Sequence, residues 1–212
     1  MKKILLIILI VLFQNTFAQS DFFHFDQIKV NESLEIENKH NSTEYFPKYT
    51  ISISKDYFPN ATDYELAQPK VYNRPENIDF IPVQVEYFYT NKDSIVRLIV
   101  YNWDTKSKAS HLRDFLKQEN DESERFDEYN KEYDSIAKRI SKYIGEPEKN
   151  QGKIEKKNEE GYGESYSRRI LWKTEKCNVE LILIWAERKG ILGTYRIRTK
   201  IYWNKKNNWL QQ

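Results

Sequence analysis

One cysteine, one methionine, six glycines and six prolines in 212 residues leave several constructions out of reach. A lone cysteine, Cys177, has no intrachain partner, so a disulfide-stapled scaffold is excluded. The sequence contains no glycine-rich phosphate loop, no G-x-S-x-G elbow and no H-E-x-x-H pair. Its three histidines, His24, His40 and His111, stand far apart without the spacing of a ligand set. No cofactor and no metal are therefore implied. Charge of one sign is also missing: 34 Lys+Arg stand against 32 Asp+Glu. Nucleic-acid binders draw most of their affinity from a clustered basic surplus, so that class is not expected.

Long apolar runs are absent after the first twenty residues. The one that exists runs from Ile4 to Phe13, preceded by Met1-Lys2-Lys3 and followed by Gln14 to Ala18. A basic start, an apolar stretch and small residues at Thr16 and Ala18 form the three-part layout of an export signal, with cleavage expected between Ala18 and Gln19. As a helix this run would reach only ~15 Å, about half of a ~30 Å hydrocarbon core. A stable membrane span in the mature chain is not expected. No Cys follows the run, so lipid anchoring is not expected either. Lys2 and Lys3 leave with the leader, so 32 basic residues then balance 32 acidic ones. The destination read from this is periplasmic or extracellular. The leader is bacterial in type, so the sequons at Asn31, Asn41 and Asn60 carry no glycosylation reading.

Aromatic residues are plentiful instead: 15 Tyr, 11 Phe and 5 Trp. Residues 19–48 read as an irregular strap whose Phe22, Phe23 and Phe25 dock on the rest of the chain. A single domain is expected over 49–203. It begins with a short strand at Tyr49 to Ser54, followed by a proline-punctuated loop over 55–82. Val83 to Thr90 and Ile95 to Trp103 alternate around the turn Asn91–Ser94 and predict a hairpin. A shorter helix is expected near Ala109 to Gln118.

The clearest element is a stripe of Phe126, Tyr129, Tyr133, Ile136, Ala137, Ile140, Tyr143 and Ile144, which falls at helical spacing. Asp121 and Glu124 suit a capping box before it, and Gly145 with Pro147 suits its end. Residues 146–165 read as a flexible, solvated loop. Three strands, Tyr166 to Lys173, Val179 to Glu187 and Thr194 to Trp203, then predict a meander, and 204–212 a polar tail. The fold class expected is α+β: one antiparallel sheet, hairpin plus three-stranded meander, packed against one long amphipathic helix.

Two features carry functional expectations. Arg196, Arg198 and Lys200 share one face of a strand and could hold an anionic ligand, although pairing with Glu180 or Glu187 explains them more simply. The strand at 179–187 is apolar on both faces, so Ile182 and Ile184 need a cover: the strap, the aromatic loop or a partner. Tyr72, Tyr162 and Trp209 lie outside the regular elements and are expected at the surface, with Trp209 joining Ile182 and Ile184 as a partner-binding candidate. Cys177 reads as a small structural thiol more readily than as a nucleophile. Together these favour a non-catalytic exported domain that binds a protein or envelope component. The alternatives are a hydrolase without a recognisable motif and a small-ligand carrier with a pocket between helix and sheet.

Overall fold

The computed structural model describes residues 22–51, 65–75, 80–104, 124–152, 154–159, 163–186 and 193–203. The expected leader with its Ala18/Gln19 cut, the helix near 109–118, His111, Tyr162, Glu187 and the tail with Trp209 lie outside them.

Alternating side chains in the strands build one antiparallel sheet beside a long helix, an α+β arrangement. The strands are β1 (Thr43–Tyr45), β2 (Lys70–Asn73), β3 (Val83–Tyr89), β4 (Val96–Trp103), β5 (Lys149–Asn150), β6 (Glu155–Glu159), β7 (Gly163–Lys173), β8 (Asn178–Ala186) and β9 (Thr194–Tyr202). Their order is β1-β2-β3-β4-β9-β8-β7-β5, with β6 also pairing β7. The β3–β4 hairpin joins the β7–β8–β9 meander through β4 and β9. The helices are α1 (Ser33–Asn38), entered through a 3-10 turn at Val30–Glu32, and α2 (Phe126–Ile144). Among the described residues no helix is long and apolar enough to cross a membrane.

Helix α2 lies over β8 and β9. Its stripe does what the spacing dictates: Tyr129, Tyr133, Ile136 and Ile140 are buried against Leu181, Leu183, Trp185 and Ile197. Burial of each such aliphatic side chain is worth about 1.5–3 kcal/mol relative to exposure. Several of the polar groups that go under with this face are partnered. Trp172 Nε1 donates to Ser141 Oγ at 3.2 Å, and Arg168 pairs with Asp134 at 2.9 Å while its guanidinium sits over the Tyr133 ring. Gly145 ends the helix at a φ of 87°, where a side chain would be strained. The start differs from the expected capping box. The N-cap position is Arg125, without a side-chain cap, and Asp121 lies outside the described residues. Arg125 instead pairs with Glu128 in the first turn at 2.7 Å, where a negative charge favours a helix N-terminus.

The N-terminal segment covers the same side of the sheet at the β3–β4 end. Phe23 and Phe25 are buried, Phe22 stacks on Trp103, and Phe23 meets Tyr101 edge to face. The expectation of an irregular strap over 19–48 is corrected here, since the segment holds the 3-10 turn, α1 and β1. It is locked by a buried ion pair. Arg74 Nε and Nη2 donate to both Glu37 carboxylate oxygens at 2.8 and 2.7 Å, and Nη1 donates to the Phe22 carbonyl at 2.6 Å. Ser42 and Tyr87 hydroxyls donate to the same carboxylate at 2.6 and 2.5 Å. Burial alone would raise the Glu37 carboxyl; these donors outweigh it and hold it below its ordinary value.

Three further expectations change. Tyr49–Ile51 is not strand, and 52–54 lies outside the described residues. The loop expected over 55–82 contains β2, and Tyr72 within it is buried, not exposed. Its ring packs edge to face on Tyr87 and its hydroxyl meets Ser33 Oγ at 3.1 Å. The stretch expected as a solvated loop over 146–165 contains β5 and β6, both paired to β7. Such short polar strands form because a neighbour offers its open edge, not through any preference of their own.

Candidate functional site

Strand register decides which residues share the sheet face turned away from α2. The β8–β9 pairing sets Ile182 opposite Arg198, Ile184 opposite Arg196 and Glu180 opposite Lys200. Across β4 the same rows continue to Asn102 and Val100, and across β3 to Gln84 and Glu86. On β2 the rows reach Asn73 and Val71, and on β1 Thr43 and Tyr45. This second face therefore carries a line of charges that neither α2 nor the N-terminal segment covers.

The basic row of β9 is spoken for largely by its neighbours. Lys200 is buried and its Nζ donates to Glu180 Oε2 at 2.7 Å, with Arg169 reaching the other Glu180 oxygen at 3.1 Å. Burial pulls the Lys200 ammonium below its ordinary value, and Glu180 pulls back. Arg196 closes on Asp104, just past β4, with its Nε 2.7 Å from Oδ2 and its Nη2 on the same oxygen. Arg198 donates from Nε to Asn102 Oδ1 at 3.3 Å. The three basic residues thus lie together in one ordered ionic row.

Glu86 is the residue that sequence reasoning missed. It is only 7% exposed. Among the described residues no hydrogen bond or ion pair reaches its carboxylate, and Arg198 and Arg196 act on it only through their charge. Burial raises its carboxyl to about 7, against the downward pull of Arg198 and Arg196. A signal for it was present: Glu86 falls on the strand face opposite Val83, Val85 and Tyr87, in the middle of a strand hemmed in by neighbours. What was not visible is that the row places it opposite Val100, an apolar position of β4.

The segment Tyr49–Ile51 lies across this face. Gln68 holds Ile51 by both backbone groups, accepting from its N–H at 2.9 Å and donating to its carbonyl at 3.2 Å. Ile51 and Leu66 pack on Phe88, Leu98, Val100 and Tyr202. Tyr49 itself is 68% exposed, within electrostatic reach of Glu86, Asp104 and Arg196.

The isoleucines expected to need a cover are placed plainly. Ile182 is buried, flanked across the strands by Arg198 and Arg169, whose aliphatic stems can shield it. Ile184 is half-buried between Arg196 and Ser167. The N-terminal segment covers neither, because it docks on the other face. Trp209 lies outside the described residues.

Cys177 is fully buried in the main core, within a turn where Thr174 Oγ1 donates to the Cys177 carbonyl at 2.7 Å and accepts from its N–H at 3.0 Å. Burial pushes its thiol up to about 11, the reverse of nucleophile activation. Among the described residues no three of His, Cys, Asp and Glu gather as a metal-holding group. No family model, no curated protein and no solved structure matches this chain. The reading of function accordingly rests on this geometry alone.

Proposed function

We propose that this chain is an exported, non-catalytic binding domain of the cell envelope that engages its partner through the sheet face opposite α2. The observation that carries the reading is Glu86: a carboxylate 7% exposed, beside two arginines, with no hydrogen bond of its own among the described residues. Around it lies an ion-paired row with little freedom to rearrange, and the half-buried Ile184 adds apolar contact area. Ordered charges at low conformational cost suit recognition. The export signal at 1–18 and an envelope partner belong to the same proposal.

The carrier alternative draws no support from the layer between α2 and the sheet, which Tyr129, Tyr133, Ile136 and Ile140 fill against Leu181, Leu183 and Trp185. The hydrolase alternative keeps one specific observation in its favour: a carboxyl raised to about 7, Glu86, on the same face as a second carboxylate, Asp104.

The test is co-sedimentation of the purified full chain with washed envelope material. Ile184→Glu and Arg169→Glu on the sheet face should each weaken retention by about tenfold, as loss of a contact residue does. Leu34→Ser on α1 and Tyr143→Ser on α2 should leave it unchanged. The opposite pattern, or no saturable retention, overturns the reading.

A further inference from the structure

We propose that residues 22–27 form a pH-sensitive strap, held down on the sheet while His24 is neutral and released when His24 takes up a proton. The strap docks on the side of the sheet that carries α2, so it stands or falls apart from the binding-face reading.

The strap is tied unevenly. At its far end the chain is pinned beside β4: the Val96 N–H donates to the Ile28 carbonyl at 2.9 Å, the Val30 N–H donates to the Ser94 carbonyl at 2.8 Å, and Lys29 bridges to Ile95. Before Ile28 the contacts are mostly between rings. Phe22 stacks on Trp103, Phe23 meets Tyr101 edge to face, and Phe25 tilts against Tyr143. Polar bonds accompany them: Arg74 Nη1 donates to the Phe22 carbonyl, the His24 N–H to the Tyr101 hydroxyl at 2.9 Å, and Gln27 Nε2 to the Val96 carbonyl at 3.3 Å. Two side-chain atoms of the same stretch, His24 Nε2 and Gln27 Oε1, are buried with no hydrogen-bond partner. Such atoms weaken the docked state. Ile28 therefore divides a part bound by backbone bonds from a part bound by rings.

Protonation bears on the weaker part. An imidazolium carries an N–H on both nitrogens, so His24 with a proton added presents a donor at Nε2, where no acceptor stands. The charged groups around the ring do not make up for this. Asp26, on the strap, and Glu32, in the 3-10 turn, favour the proton; Lys176, in the turn before β8, and Arg74, after β2, oppose it. Asp26 is itself paired with Lys176, and Arg74 with Glu37. Burial outweighs these charges and holds the imidazole below its ordinary value near 6.5. In water the ring regains that value, so the lifted strap binds the proton more tightly than the docked one. Docking is then at full strength above about 6.5 and weakens as pH falls below it. Glu37 keeps its charge through this range, because its carboxyl is held below its own ordinary value. The Arg74 pair and α1 stay in place, and opening is confined to residues 22–27. Lifting bares Phe23 and Phe25, both buried when the strap is down.

The experiment is amide exchange of the full chain, followed by NMR at about pH 7.5 and about pH 5.5 and corrected for intrinsic rates. The residue-24 amide, bonded to the Tyr101 hydroxyl, reports the docked state. Its protection should fall several-fold on acidification, to a limit of about tenfold, while the Tyr133 and Ile136 amides of α2 lose none. His24→Leu, which cannot titrate, should protect the residue-24 amide equally at both pH values. His40→Gln should respond as the parent does, although the His40 ring also meets Phe22. Thermal melts confirm that each variant is folded. An unchanged residue-24 amide in the parent, a response that survives in His24→Leu or is lost in His40→Gln, or an equal loss along α2 overturns the strap.

Discussion

Arg198 on β9 lies within electrostatic reach of Glu86 on β3, yet no hydrogen bond or ion pair joins them; its Nε donates instead to Asn102 Oδ1 at 3.3 Å. The Glu86 carboxyl is thus buried, with the Arg198 and Arg196 charges acting on it from a distance. That relationship has a measurable signature.

The signature is a pH dependence of stability. Burial holds the folded-state carboxyl of Glu86 at about 7, above its ordinary value near 4.5. The folded state then binds this proton more tightly than the unfolded one, so the contribution of Glu86 to stability is fully present below about 4.5 and is lost as pH rises toward about 7. The loss is on the order of 3 kcal/mol across that window. Glu86→Gln should remove this component, so the variant gains on the parent as pH rises through the window in urea titrations. Parallel pH profiles for the two proteins would contradict the assignment.

The buried pair of Arg74 and Glu37 tethers the N-terminal segment to β2 and β3. Arg74→Ala leaves the Glu37 carboxylate buried with only Ser42 and Tyr87 as donors, and should cost about 3–5 kcal/mol in denaturant unfolding. Glu37→Ala should cost a similar amount. A loss below about 1 kcal/mol, the ordinary worth of an exposed pair, would show that the segment is held by its phenylalanines alone.

Much of this fold was legible in the sequence, and the reasons are specific. The α2 stripe was readable because its apolar residues recur at 3.6-residue spacing over five turns and nothing else explains that spacing. Strands β8 and β9 were readable because their apolar runs and alternation exceed what a loop tolerates. The register between them was not, since the turn over Arg188–Gly193 leaves a one-residue slip open, and such a slip exchanges the faces. Strands β2, β5 and β6 were invisible because Lys70–Asn73 and Glu155–Glu159 have no pattern of their own and form by pairing to stronger neighbours. The charged face was half legible: Arg196, Arg198 and Lys200 show in one strand, but their partners Asp104, Asn102 and Glu180 depend on strand order. Glu86 stayed hidden because its burial is a property of the rows around it, not of its own strand.

Cys177 is expected to be inert. With the side chain buried and the thiol raised to about 11, the folded protein at pH 8 should not react with a thiol reagent, and unfolding in urea should release one reactive thiol. Cys177→Ala should keep all binding. Rapid labelling of the native protein would reverse this view and revive a nucleophilic role.

Export should leave its mark on the mature product. Mass spectrometry of the protein recovered from the periplasm or medium should give an N-terminus at Gln19, with 18 residues removed. An intact Met1 terminus on that product would contradict the leader reading.

The central claim, that the sheet face opposite α2 is the working surface, is tested most directly by hydroxyl-radical footprinting of the full chain with and without saturating envelope material. The account predicts protection of Tyr49 and Ile184, with Leu34 and Tyr143 unchanged. Protection of Leu34 and Tyr143 with Tyr49 and Ile184 still reactive would contradict it.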